Sequence, residues 1–198
     1  MYMYKANAIS PQNCHKIIGA FKHLKTQKGK VAARRKQKEL GGRLYPSIRQ
    51  ASISFTDESW VYDLINPFIH EINKRAGWNF QWDWNEHAQI TCYTKGDYYT
   101  WHADQNPVPY KSDNIHLNNK IRKLSLSLQL TDPSRYEGGD LQFKWLNGKA
   151  ELEIATPKKI KDRGTIIIFP SFVFHKITPI TKGIRHALVN WSLGEKFK

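Results

Sequence analysis

Tyr93-Thr94-Lys95-Gly96-Asp97-Tyr98-Tyr99-Thr100-Trp101-His102-Ala103-Asp104 is the stretch around which this chain is organised. It ends in an imidazole and a carboxylate two residues apart. In a β-strand, residues i and i+2 share a face, so His102 and Asp104 could reach one metal ion together. Two ligands leave a site incomplete, and a third donor must come from elsewhere. The best candidate is His175, which closes Thr165-Ile166-Ile167-Ile168-Phe169-Pro170-Ser171-Phe172-Val173-Phe174-His175. The alternatives are His15, His23, His70, His87, His116 and His186. Of these, His15, His23 and His70 fall on predicted helices and His116 in a long loop. His186 adjoins Arg185, so strand alternation turns the two to opposite faces. Two histidines and one carboxylate would form a facial set that suits Fe(II) and leaves positions open. A lone His-x-Asp also arises by chance, as a half-buried histidine hydrogen-bonded to a nearby aspartate.

Ten positions after His175 stands Arg185, in Gly183-Ile184-Arg185-His186-Ala187-Leu188-Val189-Asn190-Trp191. A buried guanidinium is a fork for a carboxylate. The bland reading of Arg185 is a structural ion pair with Asp140 or Glu153. Taken together these residues resemble the Fe(II)/2-oxoglutarate-dependent oxygenases of the prolyl 4-hydroxylase-like group. The approach Tyr93, Gly96, Tyr99, His102 is similar to that of prolyl 4-hydroxylases. The last third (Phe169-Pro170-Ser171, His175, Thr178-Pro179, Arg185, Trp191) is similar to PKHD-type hydroxylases. The likeness covers roughly residues 88–194.

The resemblance implies His102, Asp104 and His175 as iron ligands and Arg185 on the distal carboxylate of 2-oxoglutarate. Some related oxygenases carry a hydroxyl residue two positions after this arginine. Here Ala187 stands there, and Tyr93 is the helper the resemblance suggests. Tyr99 and Trp191 would be wall residues, and Gly138-Gly139 a structural entry to a strand, where glycine allows positive φ. The implied activity is hydroxylation of a protein or peptide side chain, prolyl first, with Fe(II), 2-oxoglutarate as cosubstrate, O2 and ascorbate, releasing succinate and CO2. The implied core is a double-stranded β-helix, or jelly roll.

The residue pattern agrees with a mainly β, α+β chain forming one domain over residues 1–198. Residues 1–79 read as helical support plus a basic loop, and residues 80–198 as the jelly-roll core. Ser10-Pro11 reads as a helix start, with Ile17, Ile18, Phe21 and Leu24 at helical spacing to about residue 24. A second helix is expected after Thr56-Asp57, with Pro67 inside it and Gly77 at its end. The alternation Ala51-Ser52-Ile53-Ser54-Phe55 reads as a strand. From residue 80 on, short strands are expected at 80–84, 88–94, 97–103, 123–130, 140–144, 151–155, 165–169, 173–178 and 186–193. Residues 106–120 read as a long loop beside the site, a candidate lid.

At 198 residues, 40% hydrophobic and with mean hydropathy −0.62, a soluble globular protein is expected. No run is apolar enough for a membrane span, and the first residues lack the apolar core of a secretion signal. Two cysteines, Cys14 and Cys92, make no disulfide framework, which suits a cytoplasmic location. The net charge is +14, and seven basic residues (Lys25, Lys28, Lys30, Arg34, Arg35, Lys36, Lys38) lie between Lys25 and Lys38 without an acid among them. Such a stretch is either a solvated loop, with some helical character near residues 31–40, or a polyanion-binding element. It supports a competing reading as a nucleic-acid hydroxylase or demethylase, with Trp78, Trp82 and Trp84 as stacking platforms. The absence of any arginine after Arg185 counts against that reading, because nucleic-acid demethylases of the superfamily usually carry a second one. A third reading is a jelly roll that binds a ligand without catalysis. The lack of a His-Glu-x-x-His helix counts against a zinc hydrolase.

Overall fold

The computed structural model describes residues 1–29 and 47–197. In chain order its strands are Met3–Lys5 (β1), Gln27–Lys28 (β2), Arg49–Gln50 (β3), Ser52–Thr56 (β4), Trp84–Asn85 (β5), Ala88–Tyr93 (β6), Tyr98–His102 (β7) and Ile121–Gln129 (β8). Tyr136–Gly138 (β9), Leu141–Leu146 (β10), Leu152–Ala155 (β11), Ile166–Pro170 (β12), Phe174–Ile177 (β13), Ile180–Gly183 (β14) and Arg185–Gly194 (β15) follow. Two helices, Pro11–Phe21 (α1) and Ser59–Arg75 (α2), precede the bulk of the strands.

The strands pair antiparallel. The larger sheet runs β1-β12-β8-β15-β6-β4-β2, with β5 on β15; the smaller runs β11-β10-β13-β7-β3. Period-2 patterning decides what each face of the larger sheet does. In β8, Leu124, Leu126 and Leu128 join Ile166, Ile168, Ile90 and Leu188 in a cluster with Cys14 and Ile17 of α1 and Val61, Ile65, Ile69 and Ile72 of α2. The opposite face, with Tyr93, Ile167 and Phe169, packs against Leu141, Phe143, Val173 and Ile177 of and beside the smaller sheet. The helices therefore back one sheet, and the space between the sheets is the interior of a jelly roll, as the sequence led us to expect.

Ser10 caps α1 by accepting a hydrogen bond from the Asn13 N–H, with Pro11 in the first turn. The helix stops at Phe21, short of the expected residue 24. Leu24 lies exposed, and the chain turns to pair β2 with β4. Pro67 lies inside α2, and Gly77 follows its end at φ +69°. The strand expected at 80–84 is reduced to β5. Before it, the Asn73 side chain hydrogen-bonds both the N–H and the carbonyl of Phe80, at 3.1 and 2.9 Å, so this backbone is satisfied without a sheet partner. Trp78 stacks on Phe80 and Trp82 on His70 against the helix-side core, and Trp84 stacks on His116. These rings are taken up by packing and are not the free base platforms considered above. Short strands β1, β2, β3, β9 and β14 lie outside the periodic signal. Most of the basic stretch from Lys25 to Lys38, and the helical character expected near residues 31–40, lie outside the described residues.

Gly138 sits at φ +75°, and a side chain there would strike the Pro179 carbonyl. Gly139, at φ +63°, keeps space for Ile180 and for the Arg185 stem. The glycine pair is structural, as its sequence context indicated, and it makes room for the arginine.

Candidate metal centre and anion pocket

His102 and His175 are direct cross-strand partners between β7 and β13, with ring centroids 4.1 Å apart. Antiparallel partners in register bring their side chains together on one face, so two positions seventy-three residues apart meet by pairing alone. Asp104 is placed differently from the expectation. β7 ends at His102, and Asp104 lies on a bend beyond it. There the Asp104 and Gln105 N–H groups both donate to the Ser171 carbonyl at 2.9 Å. The hairpin turn before β13 thus carries the third donor to the two histidines. His102 Nε2 is 3.6 Å from Asp104 Oδ1, and His175 Nε2 is 3.6 Å from Asp104 Oδ2. One ligand atom from each residue lies within 4.8 Å of the others.

Each Nδ1 faces a carbonyl: His102 that of Thr100 at 2.8 Å, His175 that of Val173 at 3.0 Å. A carbonyl only accepts, so each Nδ1 carries the proton and each Nε2 presents its lone pair, the tautomer a metal ligand needs. Burial, and next the neighbouring His102, push His175 down to about 4 against the attraction of Asp104. Burial works against the Asp104 charge, but His175, His102 and the Arg122 guanidinium hold its carboxyl well below the usual range. At neutral pH His175 is therefore a neutral imidazole and Asp104 an anion, and with the His102 Nε2 beside them they offer the donor chemistry of a divalent transition metal.

Arg185, beside Tyr93 and Gly139 on the interior side of β15, is 1% exposed. Its Nη2 donates to Gln129 Oε1 at 2.8 Å, while Nε and Nη1 are buried without a partner. The structural alternative fails: Asp140 pairs with Lys161, and Glu153 accepts from Asn147. Tyr93 is the Cα partner of Arg185, which lies over its ring at 5.4 Å. Burial raises the Tyr93 phenol, against the pull of Arg49 and Arg185, so it remains a donor. A buried cation with two idle donors beside a neutral acceptor and a phenol is a receptor for a carboxylate. Tyr99 stacks on His102 as a wall, and the Arg49 guanidinium lies over the Tyr99 ring at 4.8 Å from its centroid.

Several members were not singled out in the sequence reading. Ser125 donates to Asp104 Oδ2 at 2.8 Å and lies 2.9 Å from Ser171 Oγ. Arg122 lies over Trp191 at 3.9 Å, forks onto Glu86 and reaches the Asp104 carbonyl. Tyr110 and Lys120 tie the 106–120 loop to Glu86 and Asp83. The signal for Ser125 and Gln129 was present as the strict alternation Leu124-Ser125-Leu126-Ser127-Leu128-Gln129-Leu130. A strand with leucines packed on helices and an equally buried polar face must turn that face to a functional interior.

The sequence pattern of the 2OG-Fe(II) oxygenase superfamily matches residues 88–193, more than half of the chain. A PKHD-type hydroxylase of Synechococcus sp. (strain CC9902) is 38% identical over 96 residues, 48% of this chain and 36% of its own length. Another, from Synechococcus sp. (strain CC9311), is 32% identical over 130 residues, 62% of this chain and 52% of its own. The chain thus spans about half or less of the length of these curated relatives. Among solved structures, a viral collagen prolyl hydroxylase from Paramecium Bursaria Chlorella virus-1 superposes with TM-score 0.63 at 18% identity, covering 98% of this chain and 96% of that one. A prolyl hydroxylase from Trichoplax adhaerens, solved with a hypoxia inducible factor peptide fragment, gives TM-score 0.67 at 16% identity, covering 96% and 82%. On the match across its β core, this chain belongs to the 2OG-Fe(II) oxygenase superfamily.

Proposed function

We propose that the protein hydroxylates a prolyl side chain of a protein or peptide, using Fe(II), 2-oxoglutarate and O2. His102, Asp104 and His175 would hold the iron, and Arg185, with Gln129 and Tyr93 beside it, would take the distal carboxylate of 2-oxoglutarate. When bound, the ferrous ion and 2-oxoglutarate supply the oxygen-activating chemistry, with succinate and CO2 released. The observation that carries this reading is a two-histidine, one-carboxylate cluster and a buried guanidinium with idle donors in the interior between the two sheets, with the Tyr93 phenol in electrostatic reach of both Asp104 and Arg185. The chain's own contribution is orientation and exclusion of water. The Nδ1 bonds to Thr100 and Val173 fix both imidazoles, Ser125 fixes the carboxylate, and Arg185 aims the cosubstrate.

The prolyl assignment is supported by the prolyl hydroxylases that share the fold and by the PKHD-type hydroxylases that share the sequence. The nucleic-acid reading loses its stacking residues to packing, and no relative reported above points to it. Ascorbate, as a reductant for the iron, rests on the resemblance alone. Two cysteines that form no disulfide support a reducing compartment such as the cytoplasm. No helix among the described residues is long and apolar enough to cross a membrane. We read residues 1–198 as one oxygenase domain, since the helices share their core with the larger sheet.

The test is mass spectrometry of proline-containing peptides and methylated oligonucleotides after incubation with the protein, Fe(II), 2-oxoglutarate and O2. Gain of one oxygen on a prolyl residue is the expected result. Modification of the oligonucleotides alone would overturn the substrate class. Ser125→Ala provides a finer check. Losing the hydroxyl that steadies Asp104 should weaken metal binding roughly 10- to 100-fold, the usual effect of deleting a partner of a metal ligand. Equilibrium titration with Mn(II) under argon measures it, and an unchanged affinity would reduce Ser125 to packing.

A further inference from the structure

The outer face of the larger sheet is covered by α1 and α2; no helix among the described residues covers that of the smaller one. Strand register puts Lys144 opposite both Ile154 and Phe174, Leu146 opposite Leu152, and Gln142 opposite Lys176. These residues alternate with Phe143, His175 and Ile177, which face the interior, so they share the outer side. Trp101, next to His102 on β7, completes the face. Lys144 Nζ lies 4.7 Å from the Trp101 ring centroid and 5.2 Å from that of Phe174, and Lys176 Nζ lies 4.9 Å from Trp101. Neither ammonium has a carboxylate partner among the described residues. The aliphatic part is open to solvent: Leu146 is 66% exposed, Leu152 61%, Ile154 54% and Phe174 41%.

Exposed apolar side chains grouped around unmatched cations are the mark of a docking surface. We propose that this face is an exosite for an acidic, extended protein segment that also carries aliphatic side chains. Charge decides against a second copy of the chain, since a self-facing patch would set Lys144 and Lys176 against their own like charges. The surface also suits nucleic acid poorly. Bases stack on free aromatic faces, whereas the Trp101 ring is engaged by two ammonium groups and the most exposed apolar side chains of the face are leucine and isoleucine. A peptide in extended form presents every second side chain to one side, which suits the row Ile154, Lys144, Phe174 that alternates hydrocarbon and cation across β11, β10 and β13. Such a site would capture a substrate or partner protein through a segment remote from the reacting residue.

The probe is a fluorescein-labelled heptapeptide with glutamate and leucine alternating at its odd positions and serine at its even ones. Fluorescence anisotropy with the intact protein should show saturable binding. A version with lysine for glutamate, and one with serine for leucine, should each bind about tenfold more weakly or worse. The double variant Lys144→Glu/Lys176→Glu should lose about tenfold in affinity, and Ile154→Ser should weaken binding with both charges kept. Because the three positions are at the surface and none is in the proposed iron or cosubstrate site, 2-oxoglutarate turnover by both variants should stay at the parent level. The exosite can therefore fail while the oxygenase reading stands, and the reverse. No binding up to ~1 mM, or affinities untouched by both variants, would overturn the proposal. So would tighter binding of a mixed-sequence single-stranded oligonucleotide that the double variant abolishes, or a dimer that the double variant dissociates.

Discussion

Asp104→Ala will abolish 2-oxoglutarate turnover and leave the folded protein unable to retain iron. Asp104 is the single anionic donor of the cluster, and each histidine sets its Nε2 3.6 Å from one of the two carboxylate oxygens. Without it the cation would be held by two neutral ligands in a site with no compensating charge. The fold should survive. Asp104 belongs to neither hydrophobic cluster, and its backbone bond to Ser171 does not depend on the side chain. Asp104→Asn separates charge from shape, because it can still accept from Ser125 yet brings no negative charge. His175→Ala should have the same outcome as Asp104→Ala, with an added loss of packing against Phe169, whose ring centroid is 4.7 Å away. Succinate production, iron content after dialysis and the circular dichroism spectrum together decide the matter. Undiminished succinate from either variant would remove that residue from the site.

Arg185→Met will raise the 2-oxoglutarate requirement by roughly 100-fold while leaving iron affinity nearly unchanged. A charge-assisted hydrogen bond is worth about 1.5–3 kcal/mol, so losing a two-bond fork costs about 3 kcal/mol or more, and each 1.4 kcal/mol is tenfold. The ligand-free protein should respond in the opposite sense. Arg185 is 1% exposed and its donors Nε and Nη1 are unmatched. Replacing a poorly compensated buried charge with a hydrophobic group of similar volume is often neutral or stabilising. The variant should therefore melt no lower than the parent without 2-oxoglutarate, and should lose the rise in Tm that the parent shows when 2-oxoglutarate and Mn(II) are added under argon. A variant that melts far lower without ligand but keeps the parent's cosubstrate requirement would make Arg185 a structural residue.

The ligand types were legible early because metal chemistry restricts them. A His-x-Asp pair, a distant histidine behind an apolar strand and an arginine ten residues later were all visible as local text. The supporting groups were harder. Asp104 needed the Ser171 carbonyl to hold its bend, and that bond joins segments 67 positions apart. The alternation around Gln129 marked a polar interior face, but nothing local named Arg185, 56 positions away, as its partner. The expected strand at 80–84 failed for a comparable reason. Its periodicity suits a strand, but the Asn73 side chain on α2 claims its backbone first. Arg122 and Glu86 likewise sit 36 positions apart and pair only once the sheet forms.

By itself the sequence determined what recurs at short range: the strand period of two, the helix caps, the glycine pair at 138 and 139, and the identity of the metal-ligand candidates. Those features depend on dihedral preferences and on donor atoms that each residue carries anywhere. The tertiary structure alone decided that His102 faces His175, that Ser125 steadies Asp104, and that Arg185 is left with donors to spare. Each of these depends on register between strands far apart in sequence and on which face the second sheet covers. Burial of a polar face, and hence its use, exists only after both sheets are in place.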